Sequence, residues 1–224
     1  MTNLRISKRL GAAAALCRDN AFIADVGTDH AYLPIYLLQN NKIRGGVVSD
    51  INKGPIERAK DHICEYGAAD KLTPVLCDGL APLESFSPED IFILGMGGEL
   101  IAKIISEADF TKKKGVRLIL QPMTHPELLR KFLTENGYRI VKETLVEEEK
   151  IYQILAAEYS GEITVYNQTE LLFGKQNIAS PTPLFYKLLD RTQKVMLDRI
   201  EPKRAAGADT SEEENLLKQI GELR

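Results

Sequence analysis

The sequence predicts an α/β fold: a mostly parallel, seven-stranded sheet ending in an antiparallel hairpin, followed by a C-terminal α-helical hairpin. Three observations carry this. Short apolar runs alternate with helical patterns from residue 22 to residue 136, as βαβ crossovers require. The next two alternating stretches, 138–146 and 150–158, are joined by the acidic turn Glu147-Glu148-Glu149. So short a turn makes an antiparallel pair, because parallel strands need a long crossover. After residue 160 the composition changes and two helical stripes follow. Residues 1–160 thus read as one domain and 161–224 as a smaller helical module.

In order, residues 4–16 carry a helical pattern with Ser7 near its start and Arg5, Lys8 and Arg9 on the polar side. Residues 22–26 form the first strand and 32–38 the helix after it, with Pro34 in the first turn, where its missing N–H does no harm. Residues 46–50 form the second strand, and Pro55 opens a helix that stops at Gly67. Strands at 74–77 and 91–94 follow, then a helix through Leu100, Ile101, Ile104 and Ile105. The fifth strand, 116–120, closes at Gln121-Pro122, and a helix runs from Pro126 to Gly137. Phe173-Gly174 and Ser180-Pro181-Thr182-Pro183 read as a linker or docking loop. Phe185, Leu189, Thr192 and Met196 make one apolar stripe, Pro202 breaks that helix, and Ser211 with Glu214 forms a capping box that opens the last one.

Composition bounds the class. The 224 residues are 44% hydrophobic and 27% charged, ordinary for a globular protein. No apolar run approaches the roughly 20 residues that span a bilayer, and the apolar stretch 12–16 is too short for a signal peptide. A cytoplasmic protein with no membrane partner is expected, and no feature signals an obligate protein partner. Three cysteines without a CxxC pair argue against disulfides and zinc. His30, His62 and His125 are scattered, so no metal site is expected. A formal charge of -3 exerts no global pull on nucleic acid, so RNA would have to meet local basic patches.

The chemistry concentrates at strand ends, which share one rim of an open α/β sheet. Asp25, Gly27 and Thr28 end the first strand and would bring main chain close to a ligand's amino-acid end. Asp50, with Ile51, ends the second and is placed for ribose hydroxyls. Asp78-Gly79-Leu80 ends the third and suits an adenine amine and ring. Gly95-Met96-Gly97-Gly98 ends the fourth as a floor on which a substrate can lie against main chain. One glycine after the first strand, where the dinucleotide fingerprint wants three, weighs against a pyrophosphate. Adenine and ribose without phosphate describe S-adenosyl-L-methionine.

Ser7-Lys8-Arg9-Leu10, Asp25-Val26-Gly27-Thr28-Asp29-His30-Ala31-Tyr32-Leu33-Pro34, Gly54-Pro55, Gly95-Met96-Gly97-Gly98, Leu120-Gln121-Pro122 and Phe173-Gly174 resemble the bacterial tRNA (adenine-N1) methyltransferases that act on position 22. Met123 departs from the pattern, in which Asn follows Gln-Pro. The resemblance implies a Rossmann-like class I methyltransferase domain, a coiled-coil-like C-terminal module, S-adenosyl-L-methionine as methyl donor and tRNA as substrate. On that reading Asp29, His30 and Met96 serve catalysis, and Asp25, Gly27, Thr28, Asp50, Ile51, Asp78, Gly79, Leu80 and Gly95 hold the cofactor. Arg5, Arg9, Tyr32, Gly97, Gly98, Gln121, Lys187, Arg191 and Lys194 meet the substrate. Lys112-Lys113-Lys114 with Arg117 is a further candidate basic patch. The competing readings are methylation of another RNA base or a small molecule, a nicotinamide oxidoreductase, and a non-catalytic RNA-binding module.

Overall fold

The computed structural model describes residues 4–224. Helix α1 (Lys8–Ala14) starts at Ser7, whose hydroxyl accepts from the Leu10 amide at 3.3 Å. Strand and helix then alternate through β1 (Ala21–Val26), α2 (Tyr32–Gln39), β2 (Ile43–Asp50), α3 (Lys53–Glu65), β3 (Leu72–Leu76), β4 (Asp90–Gly97) and α4 (Gly98–Ser106). They continue through β5 (Arg117–Thr124), α5 (Pro126–Glu135), β6 (Tyr138–Glu147) and β7 (Ile151–Tyr159). The sheet order is β3-β2-β1-β4-β5-β7-β6. The first five strands are parallel, and β7 runs antiparallel to both β5 and β6. The chain builds outward from β1 to β3, then returns to place β4 on the other side of β1. That reversal opens a crevice beyond the ends of β1 and β4.

Both sheet faces are buried, which is why the central strands read as nearly continuous apolar runs. Along β4, Ile91 and Ile93 enter one core cluster, which also holds Leu118, Leu120, Leu129 and Leu133. Phe92 points the other way, into a cluster with Ile23, Ile119, Leu33 and Leu37. Each such side chain contributes roughly 1.5–3 kcal/mol on burial.

Four expectations from the sequence need correction. β5 does not close at Gln121-Pro122 but runs on to Thr124. Its pairing with β7 covers only Arg117 to Leu120, so Pro122 has no ladder bond to lose on that side, and its match to Met96 falls at a bulge. The stretch expected to be a linker holds two short helices, α6 (Gln168–Phe173) and α7 (Lys175–Ala179). Asn167 and Glu170 cap α6 reciprocally. Helix α8 (Pro183–Ala205) runs through Pro202 instead of breaking there. The proline deletes one bond to a carbonyl on an exposed face, and the helix ends three residues later, ahead of Gly207 at φ +74°. Nor does Ser211 cap α9 (Ser211–Gly221); Thr210 holds that position, and its hydroxyl donates to Glu214 Oε1 at 2.7 Å.

A buried polar knot joins α6 to the sheet. Arg130 of α5, 0% exposed, donates to Glu143 Oε1 at 2.8 Å, Gln153 Oε1 at 2.7 Å and the Leu171 carbonyl at 2.8 Å. Gly174, at φ +87°, lies where a Cβ would sit 2.3 Å from the Glu143 carboxylate. The Phe173-Gly174 pair is therefore explained by packing: phenylalanine fills a core with Phe185 and Leu189, and glycine admits the carboxylate. Among the described residues no helix is long and apolar enough to cross a membrane.

Candidate active site

β1 delivers Asp25 and Gly27 to the crevice. Gly27 sits at φ +76°, and a Cβ there would lie 2.1 Å from Met96 Cε. The positive φ demands glycine, and a side chain there would also have to displace the Met96 methyl. Met96 arrives from the neighbouring β4, so its side chain lies over the Gly27 backbone. The turn into α2 is set by Thr28, whose hydroxyl oxygen accepts from the Ala31 amide at 3.1 Å, with Ala31 left-handed at φ 55°.

Two cavities meet at Gly27. The first, about 240 Å³, is lined by Arg9, Asp25, Gly27, Thr28, Asp29, His30 and Tyr32, with Leu10, Ala31, Leu33 and Leu94. Asp25 is 7% exposed and has no cationic partner among the described residues. Burial pushes its carboxyl up to about 6, against a hydrogen bond from Thr28 that pulls it down. Arg9 has no carboxylate partner among the described residues either. Its Nη1 donates to Gln121 Oε1 at 2.7 Å, and its guanidinium lies 5.7 Å from the centre of the Tyr152 ring. One small cavity thus holds an uncompensated anion and an uncompensated cation.

The second cavity, about 220 Å³, is lined by Ser49, Asp50, Ile51, Cys77, Asp78, Gly79 and Met96, and is walled by α4 residues including Leu100 and Lys103. Asp50 Oδ1 accepts from the Asn52 amide at 2.7 Å, leaving its second oxygen for a ligand. Exposed Ile51 offers an apolar face beside it. Hydroxyl-reading acids on one side of Gly27 and a complementary charge pair on the other match a nucleoside carrying an amino acid. Among the described residues no cluster of three or more His, Cys, Asp or Glu groups could hold a metal.

A methyltransferase domain model matches residues 6–155. The curated tRNA (adenine(22)-N(1))-methyltransferase of Bacillus subtilis is 37% identical over 176 residues, 78% of this chain and 74% of that protein. The chain belongs to the tRNA (adenine(22)-N(1))-methyltransferase family. The crystal structure of the B. subtilis M1A22 tRNA methyltransferase superposes with a TM-score of 0.83 at 30% identity, covering 98% of this chain and 95% of that one. A Streptococcus pneumoniae structure in complex with S-adenosyl-L-methionine gives 0.85 at 31% identity, covering 96% and 99%.

Within this methyltransferase fold, most of the expected cofactor residues converge: Asp25, Gly27 and Thr28 line the first cavity, and Asp50, Ile51, Asp78 and Gly79 line the second. Leu80 is 1% exposed in the core and lines neither. Gly95, at φ +80°, lies beside the Arg9 guanidinium. Gly97 and Gly98 line neither cavity; a Cβ on Gly98 would strike the His125 carbonyl at 2.2 Å, so close packing against the next strand-to-helix turn explains it. Met96 walls the second cavity. Gln121 is 0% exposed and spends its polar atoms inside the protein.

Asp29 and His30 stand at the mouth of the first cavity. Asp29 bonds Arg58 of α3, at 3.0 Å from Nε and more closely from Nη2, and His30 Nε2 lies 3.1 Å from its other oxygen. The Arg58 side chain holds the Asp29 carboxyl below its ordinary range. Tyr32 stacks on His30 with ring centres 5.0 Å apart and on His62 at 4.9 Å. Arg58, His62 and Tyr152 are the residues the sequence did not single out. Only an α3 register of four, Arg58 to His62, could have hinted that one helix face meets the turn.

The basic patches fare unevenly. Lys112, Lys113 and Arg117 pair with Asp109, Glu84 and Glu158, and they sit where β5 begins, at the opposite end of the sheet from the crevice. Lys187 and Arg191 of α8 both pair with Glu147 of β6 at 2.8 and 3.3 Å, pinning the helix to the hairpin. Lys194 and Arg5 remain exposed.

Proposed function

We propose that this chain transfers the methyl group of S-adenosyl-L-methionine to N1 of adenine 22 in tRNA, as the B. subtilis relative's name describes for that enzyme. The observation that carries the reading is the pair of cavities joined at Gly27, one acid-lined for a nucleoside and one holding Asp25 opposite in charge to Arg9. Asp25 receives the cofactor's ammonium and Arg9 its carboxylate, which makes Arg9 a cofactor residue before a substrate one. Asp50 takes the ribose hydroxyls, and Asp78 with Gly79 the adenine edge.

Bound there, the cofactor supplies an electrophilic methyl carbon on a positively charged sulfur. Adenine N1 carries a lone pair at neutral pH, so no side chain has to remove a proton before attack. The protein's work is alignment and charge. Methyl transfer leaves the base cationic, and the Asp29 carboxylate at the cavity mouth, held in place by Arg58 and His30, is the anion we assign to offset it. The Tyr32 ring, backed by two imidazoles, gives an extruded base a stacking surface.

Incubating the chain with unmodified tRNA and methyl-labelled donor, followed by nucleoside mass spectrometry, should yield 1-methyladenosine. Label in a different nucleoside, or none, overturns the reading. Asp29→Ala should cut turnover about 100-fold, a loss typical of one electrostatic stabiliser, while binding of S-adenosylhomocysteine changes little. Unchanged turnover would remove Asp29 from the catalytic groups.

A further inference from the structure

Gln121 lies within β5, three residues before its end and fully buried, and its side-chain oxygen accepts from Arg9 at 2.7 Å. Its amide nitrogen donates to the Pro122 carbonyl at 2.8 Å and to Met123 Sδ at 3.5 Å. These bonds fix which end of the amide faces α1: oxygen toward Arg9, nitrogen away. The guanidinium is also laid over Tyr152 of β7, whose ring is shared with Lys150 at 5.3 Å. Every anchor on Arg9 is therefore neutral. Elsewhere, buried or half-buried arginines are paired with carboxylates: Arg18 with Asp90, Arg117 with Glu158, Arg130 with Glu143. Arg9 is the half-buried exception, and it lines the cavity that also contains Asp25.

We propose that Gln121 is a positioning residue for the cofactor's amino-acid end: it fixes the Arg9 guanidinium at the cavity wall while leaving its charge uncompensated. This rests on the cofactor reading above and adds a reason for glutamine at this position. A carboxylate of the same shape would hold Arg9 equally well but would neutralise it, leaving the cofactor carboxylate to compete with an internal one. A shorter or apolar side chain would leave Arg9 free to swing away. Either change should weaken ligands in proportion to their carboxylate and spare ligands without one.

The test compares two ligands on the full chain by calorimetry. S-adenosylhomocysteine carries the amino acid, whereas 5′-methylthioadenosine has the same nucleoside and no amino acid. Gln121→Glu should weaken S-adenosylhomocysteine about tenfold or more, as expected for loss of one charge-assisted pair, and leave methylthioadenosine within about twofold. Gln121→Met, which adds no charge and keeps the volume, should show the same selectivity with a smaller loss, and serves if the glutamate variant does not fold. Unchanged S-adenosylhomocysteine binding, or parallel weakening of both ligands, overturns the assignment. A wild-type chain that binds methylthioadenosine but gains nothing from the amino acid overturns the assignment while leaving the nucleoside cavity standing. A chain that binds neither ligand overturns the cofactor reading as well.

Discussion

On one side of Gly27 the cavity takes its polar groups from consecutive strand ends and leaves them partly wet; on the other, buried Asp25 and half-buried Arg9 have no partner of opposite charge among the described residues. Asp50, half-buried, accepts from the Asn52 amide at 2.7 Å, and Asp78 is open to solvent. Asp25 is different. Its buried carboxyl is pushed up to about 6, so the empty protein holds an anion at neutral pH at a real cost. A ligand ammonium would relieve that cost. On the proposed reading the nucleoside side recognises shape and hydrogen bonds, while the amino-acid side carries the cost of a buried carboxylate that a ligand ammonium relieves.

The largest break in this contrast should come from Asp25→Asn. Calorimetry should show S-adenosylhomocysteine weakened about 100-fold, within the range for truncating one partner of a buried charge pair in a binding site. The same variant should make the ligand-free protein more stable at neutral pH. The sign follows from the raised carboxyl: the unfolded chain ionises first, near its ordinary value of 3.8, so Asp25 subtracts stability as pH rises towards about 6 and keeps subtracting above it. Removing the ionisation should recover about 2–3 kcal/mol in denaturant unfolding at neutral pH and almost nothing near pH 4. Asp50→Ala sharpens the other half. It should weaken S-adenosylhomocysteine and methylthioadenosine alike, by about tenfold, the worth of one or two hydrogen bonds to a charged group.

The two sides also differed in how far they could be read from the sequence. Asp25, Asp50 and Asp78-Gly79 each close a strand, and strand ends share a rim whatever the details of packing, so local pattern was enough. The antiparallel β6–β7 pair followed from the shortness of the turn between its strands. Arg9, Gln121 and Tyr152 meet from α1, β5 and β7, and nothing in their spacing announces it. Arg58 reaches Asp29 for the same reason, through a helix packed on the far side of the turn. Gly97-Gly98 misled in the opposite direction: a glycine pair at a strand end fits a substrate floor, but the close neighbours are Thr124 and His125. Pro122 and Pro202 misled because a proline's cost depends on whether its missing bond faces a partner or open space, and that is a tertiary fact.

The most direct test of the stored-charge cavity is the affinity of the wild-type chain for S-adenosylhomocysteine and for methylthioadenosine between about pH 5 and pH 7, where the ligand ammonium stays protonated. Binding of the amino-acid ligand requires Asp25 to give up its proton. Below about 6 its affinity should therefore fall by up to about tenfold per pH unit, with methylthioadenosine nearly flat and the slope absent in Asp25→Asn. Parallel pH profiles for the two ligands would contradict an ionised Asp25 as the ammonium's partner.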